Sequence, residues 1–346
     1  MKRNITRGLI PIICFLLSAC AKGGSMFSQA ELQQRLDVDC IHEVLPPIPS
    51  DTETLYQYAR YHDLHRLWKG KIGGWNDLAK YYRIAAANGN YKANKRLQYL
   101  LYSNRIIAEN NKKEVITLNE QLEKLAPASA YYGYFVYLSK GYGVKVFSSG
   151  EYSYLRKAVD LGNKEAQYAM AEILGQIKDD KSFQLRSQLW RKLYQCASDQ
   201  GMGKASLELG GSRQIDGLYD KALNAYQQGV RNGNALSALT LYYGFRDGAT
   251  NKDKYDYLPI SHDPERAKRY EMIKTYLYDY SYLQPTVPDL DEIVPLPPAK
   301  LPPWDGKITF QRWFEGPSPQ KPSDELMQKL AEKVGLDWQT GLPLKK

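Results

Sequence analysis

The sequence predicts an all-α fold: a right-handed superhelical solenoid of stacked antiparallel helix pairs, finished by an extended Pro-rich strip and a short terminal helix. Three observations carry this. One junction recurs along the middle of the chain, a glycine followed four positions later by a small residue: Gly89 and Ala93, Gly162 and Ala166, Gly201 and Ala205, Gly233 and Ser237. Counting a degenerate copy at 125–130, the spacings are about 38, 35, 39 and 32 residues, the period of stacked helix pairs. Finally, eleven of the eighteen prolines fall from Pro285 onward, which ends the helical array there.

The first element is not part of the array. Lys2, Arg3 and Arg7 precede an apolar run from Leu9 to Leu17, interrupted by Pro11. A run of about nine residues is too short to span a bilayer and suits a secretory signal. It ends in Leu17-Ser18-Ala19-Cys20, which resembles the bacterial lipobox. That resemblance implies lipid attachment at Cys20 as the first mature residue; the alternative is a soluble export signal cleaved after Ala19. Ala21 rather than Asp follows the cysteine. By resemblance to sorted lipoproteins, this implies the periplasmic side of the outer membrane rather than the inner one. Residues 1–19 are then the signal and 20–50 a lipidated linker. Cys14 leaves with the signal, so Cys40 and Cys196 are the remaining thiols. In an oxidising periplasm they form a disulfide or stay as two buried thiols.

The solenoid is expected over 51–283, and the logic of one unit is visible at 152–174. Tyr154, Leu155, Ala158, Val159 and Leu161 put an apolar stripe on a first helix, and Gly162 ends it in the left-handed region. Asn163 caps the second helix, where Ala166, Ala169, Met170, Ile173 and Leu174 share a face. Neither helix buries its stripe alone, so neighbours must stack. A last helix opens at Asp263-Pro264-Glu265, with a cap, a first-turn proline and an acid at the positive dipole end.

The unit from Ala130 is the most specific. Gly133, Gly141, Gly143, Val144, Lys157, Ala158, Gly162 and Ala166 match the pattern of the SEL-one-like repeat, a relative of the tetratricopeptide repeat, which this stretch resembles. The resemblance covers about 200 residues, from near Trp75 to near Tyr282, in an array long enough for several such units.

The C-terminal segment, 284–346, is a different material. Leu290, Ile293, Val294, Leu296, Leu301 and Trp304 punctuate its prolines, so it is expected to lie along the solenoid. After Ser323, the residues Leu326, Met327, Leu330, Ala331 and Val334 share one face of a short helix that Gly335 stops. The strip, the repeats and the Cys40-Ile41-His42-Glu43 segment together resemble the lipoprotein immunity proteins, built from SEL-one-like repeats, that accompany type VI secretion phospholipase effectors. That resemblance implies a periplasmic protein that neutralises a toxic lipase by direct binding. The family's functional residues form no short motif, so none is carried over. The competing reading is an envelope scaffold or adaptor with an endogenous protein partner.

Enzyme chemistry finds no support in the motifs. There is no Gly-x-Ser-x-Gly elbow and no phosphate-binding loop of the Walker type. His62 and His65 with Asp63 have a spacing that holds zinc, but no second ligand pair accompanies them, and Tyr58, Tyr61, Leu64 and Trp68 read as a helix interface. No metal and no cofactor are expected. The net charge of +9 suggests nucleic acid at first sight. Three of those charges leave with the signal, and the rest spread over the solenoid beside acids, with no nucleic-acid motif. The basic excess suits an anionic membrane surface or an acidic partner. Candidate partner contacts are Tyr131, Tyr134 and Tyr137, which span both faces of one helix and so reach solvent or pack between repeats. Asp289, Asp291, Glu292 and Trp304 of the strip are candidates too.

Overall fold

The computed structural model describes residues 38–67, 71–142, 150–248 and 257–344. The signal segment, Cys20, Gly143 and Val144 lie outside these described residues. Twelve helices build the array: α1 (Ser50–Leu64), α2 (Ala79–Ala87), α3 (Tyr91–Tyr102), α4 (Asn111–Leu125), α5 (Pro127–Lys140), α6 (Gly150–Asp160), α7 (Lys164–Gln176), α8 (Phe183–Asp199), α9 (Gly203–Ile215), α10 (Tyr219–Arg231), α11 (Ala235–Asp247) and α12 (Pro264–Asp279). Each packs on the next, which is the contact pattern of a solenoid. Among the described residues there is no strand, and no helix is long and apolar enough to cross a membrane.

The repeated junction works as its residues dictate. Gly89, Gly162, Gly201 and Gly233 have φ of 91°, 88°, 91° and 84°, a region that favours glycine. Asn90, Asn163 and Asn234 then accept from the backbone N–H of Ala93, Ala166 and Ser237, capping α3, α7 and α11. Ala93, Ala166, Ala205 and Ser237 are all wholly buried, so the small residue is where helices meet. The degenerate copy manages without glycine, because Ala126 leaves the helical region at φ −144° and Pro127 starts α5.

One stripe is rotated from its expected position. On α7 the buried residues are Ala166, Gln167, Ala171 and Leu174, while Ala169, Met170 and Ile173 are only partly covered. Gln167 turns inward because its amide donates to the Ile41 carbonyl at 2.8 Å. Residues 40–43, expected as linker, are in fact laid across the repeats. The Glu43 carboxylate accepts from Ser129 N–H (2.8 Å), the Ser129 hydroxyl (3.0 Å) and Asn163 Nδ2 (3.0 Å). Glu43 N–H donates to the Gly162 carbonyl at 3.1 Å. A Cβ at Gly162 would lie 2.6 Å from this passing backbone. Cys40 and Cys196 are bonded as a disulfide, 156 residues apart in sequence, which fixes the segment to α8.

At the start of the array Asp63 is wholly buried and forms a charged hub. It accepts from Arg96 Nε and Nη2 (2.5 and 2.8 Å), Tyr82 OH (2.9 Å) and Trp75 Nε1 (3.0 Å), with Arg60 Nη1 at 3.7 Å. Burial, then Asp63, pushes the Tyr82 phenol well above its ordinary range.

The tail does more than lie along the solenoid. Val287 N–H donates to the Arg231 carbonyl at 2.9 Å, and Leu290, Ile293 and Val294, around a short helix α13 (Leu290–Ile293), complete the core of α10–α12. Helix α14 (Thr309–Glu315) then bridges both ends of the array. Phe310 and the preceding Ile308 belong to the α10–α12 core. Trp313 and Phe314 meet Tyr61 of α1 and its C-cap His65, with ring centroids 5.9 and 4.1 Å apart. Helix α15 (Asp324–Glu332), capped by Ser323, adds Met327, Leu330 and Ala331 to the core of α1–α4, and Asn88 Nδ2 donates to the Leu330 carbonyl at 2.9 Å. The histidines at the C-terminal end of α1 serve this closure. His65 sits between the carbonyls of Tyr61 (2.7 Å) and Phe314 (3.0 Å), and His62 Nε2 lies 3.1 Å from the Ser318 hydroxyl.

Candidate protein-binding surface

The three tyrosines of α5 do not form one surface. Tyr137 is buried, and its hydroxyl donates to Gln98 Oε1 at 2.6 Å; the expectation that it faces a partner is corrected. It lies in the seam with α3, and Gly133, one turn earlier, lets α4 come close: a Cβ on Gly133 would lie 2.4 Å from Asn119 Oδ1. Tyr131 and Tyr134 face α6, with ring centroids 6.1 and 5.2 Å from Tyr154, and Lys157 Nζ lies 5.3 Å from the Tyr131 ring. The Tyr134 hydroxyl donates to Glu123 at 3.2 Å; burial, then the Glu123 charge, pushes it up to about 12. Both serve packing between helices and remain half-buried.

The strip residues are bonded within the chain. Asp291 pairs with Arg231 and accepts from Gln227 Nε2 at 3.0 Å. Asp289 accepts from Thr309 N–H at 3.0 Å, at the start of α14. Trp304 donates to the Lys307 carbonyl at 2.8 Å and packs under the Arg269 guanidinium. All three have partners within the chain, while the Asp291 side chain keeps 61% of its surface exposed. Glu292 stays exposed.

A different surface gathers the aromatic side chains. Tyr99 and Tyr102 of α3 are exposed, and with the half-buried Tyr132 and Val136 of α5 they line a groove of about 310 Å³. The buried Tyr137–Gln98 pair lies at its floor, and Lys95 and Glu165 stand at one side. Cations surround the tyrosines. The guanidinium groups of Arg96 and Arg105 lie 4.8 and 5.3 Å from the Tyr99 ring, and Lys112 Nζ lies 5.8 Å from the ring of Tyr142, which itself contacts Tyr102. Burial alone would lift the Glu165 carboxyl; Lys95 and Lys164 outweigh it and hold it below its ordinary value. An apolar floor with a cationic margin is equipped to hold a protein segment rather than to perform proton transfer. Sequence reasoning missed this groove, although Tyr99 and Tyr102 at i and i+3 on a repeat helix were its signal.

Comparison with known proteins places this architecture. Residues 237–344, which run from α11 through the closing tail, match a family described as a domain of unknown function, DUF6396. No curated protein matches the chain. Among solved structures, immunity protein Pa5087 from Pseudomonas aeruginosa aligns over 76% of this chain and 95% of its own, at 22% identity and a TM-score of 0.53. Immunity protein PA5088 from the same organism aligns over 75% and 94%, at 21% identity and a TM-score of 0.55. PA5086 of Pseudomonas aeruginosa aligns over 75% and 95%, at 22% identity and 0.51. The chain shares their fold. The all-α repeat architecture expected from the glycine junctions is therefore also that of proteins solved as immunity proteins. The alignments span nearly the whole of each neighbour, so the likeness is one of complete arrays rather than of one helix pair.

Proposed function

We propose that the protein is an immunity protein that binds a toxic effector directly and blocks it without chemistry of its own. The observation that carries this reading is the correspondence of fold over 94–95% of the two immunity-protein chains. The build of the array supports it. A disulfide and a tail that bridges first and last helices hold the surface in one shape, which lowers the ordering cost of association. The effector is a phospholipase of a type VI secretion system, on the family resemblance of the repeats and strip. The protein meets it in the periplasm, tethered by lipid on Cys20 at the outer membrane; the lipobox-like Leu17-Ser18-Ala19-Cys20 supports this.

The test is a growth assay. The phospholipase effector is exported to the periplasm of a sensitive strain, with and without this protein. Protection and a stoichiometric complex are expected. Absence of both, with the protein present at normal levels, refutes the reading. Palmitate labelling of wild type but not Cys20→Ser tests the tether separately.

A further inference from the structure

We infer that the groove lined by Tyr99, Tyr102, Tyr132 and Val136 is where the bound partner inserts an acidic segment bearing an aromatic or aliphatic side chain. This rests on the protein-binding reading above. The groove is the largest step beyond it that the side chains support, for two reasons. First, it presents exposed aromatic area that the closed tail leaves open. Tyr99 is 45% and Tyr102 38% exposed. Tyrosine supplies large contact area at low ordering cost, and a groove of about 310 Å³ suits one inserted side chain.

Second, the margin is cationic and its charge is unanswered. Arg105 and Lys112 have no carboxylate within 4 Å among the described residues; Arg105 stands against Tyr99 of the groove, and Lys112 against Tyr142, which contacts Tyr102 of the groove. The one acid at the groove, Glu165, is engaged by Lys95 at 3.8 Å. Residues 51–125 carry a net charge of about +5, so the field around the groove draws a negative segment.

The probe is the purified phospholipase effector that the wild-type protein neutralises, with binding measured at low and high salt. Val136→Asp puts an acid into the apolar floor and is expected to weaken binding by at least about 30-fold. Lys112→Glu lies on the exposed margin, where folding is not at stake, and is expected to slow association about 10-fold at low salt and to flatten the salt dependence. Lys178→Glu, past the other end of α7, is the control and is expected to bind as wild type. Each variant is accepted only with the disulfide formed and the thermal midpoint unchanged. Wild-type binding with Val136→Asp, Lys112→Glu and Tyr102→Ala all equal to wild type overturns the groove and leaves the immunity reading standing. An effector that no form of the protein binds overturns that reading, and the groove with it.

Discussion

Replacing Asp63 with alanine removes one carboxylate and strands the donors arranged around it. Arg96 loses two charge-assisted bonds, at 2.5 and 2.8 Å, and its side chain is only 14% exposed. Arg60, 17% exposed and already held below its ordinary range by burial and then by Arg96, loses the one negative charge beside it. The Tyr82 hydroxyl loses its acceptor inside the core, and Trp75 Nε1 keeps only the backbone carbonyl of residue 63, at 3.3 Å. Breaking a buried ion pair by removing one partner costs about 3–5 kcal/mol. Each stranded neutral donor adds about 1–3 kcal/mol when taken alone. These terms share one site and are not additive, since water entering the vacated space serves several donors at once. The expected loss is about 4 kcal/mol. Asp63→Asn preserves size but leaves Arg96 uncompensated, and is expected to lose nearly as much. Urea unfolding followed by tryptophan fluorescence reads the effect, with Trp75 reporting at the site. A loss below about 1 kcal/mol for Asp63→Ala refutes the claim that this carboxylate organises the start of the array.

Three further outcomes follow from the geometry. Cys40→Ser with Cys196→Ser is expected to lower stability by about 5 kcal/mol in the chain-entropy model for so long a loop; a thermal midpoint indifferent to reductant contradicts it. Asp263 caps α12, and although burial alone would raise its carboxyl, the backbone N–H and guanidinium of Arg266 hold it low, so its contribution is present at neutral pH and lost as pH falls through the lowered value. The stability gap between wild type and Asp263→Asn should therefore close in acid, and a gap that widens there would be the wrong sign. Trp313→Ala with Phe314→Ala removes the rings that meet α1 and is expected to make 316–323 a site of limited proteolysis, while helix content stays within a few per cent; unchanged cleavage shows that the rings do not hold the tail.

The repeat was legible because its physics is local. A glycine at φ near 90°, an asparagine cap and a small residue at the crossing all sit within five positions, and each reports directly on its neighbour. What escaped the sequence depends on partners far along the chain. Gln167 looks like a surface residue until Ile41 passes over it, 126 positions earlier. Tyr137 looks like Tyr134 until Gln98 takes its hydroxyl. The zinc-like spacing of His62 and His65 shows a shared helix side, but only the returning tail shows what that side is for, and Asp63 between them faces the opposite way into the core. The groove was hidden for the same reason, since Tyr99 and Tyr132 belong to different repeats and meet only when these stack.

Repeat arrays ordinarily grow and shrink by whole units, because each unit touches only its neighbours. The seven-residue α14 removes that freedom. It is roughly 10 Å long at the helical rise, and it must have Phe310 on the last pair and Phe314 on the first helix at the same time. Inserting or deleting one helix pair would carry the two footholds out of its reach. Change in this architecture is therefore confined to side chains on a fixed count of helices, and new specificity has to arise by repainting the groove rather than by lengthening the array.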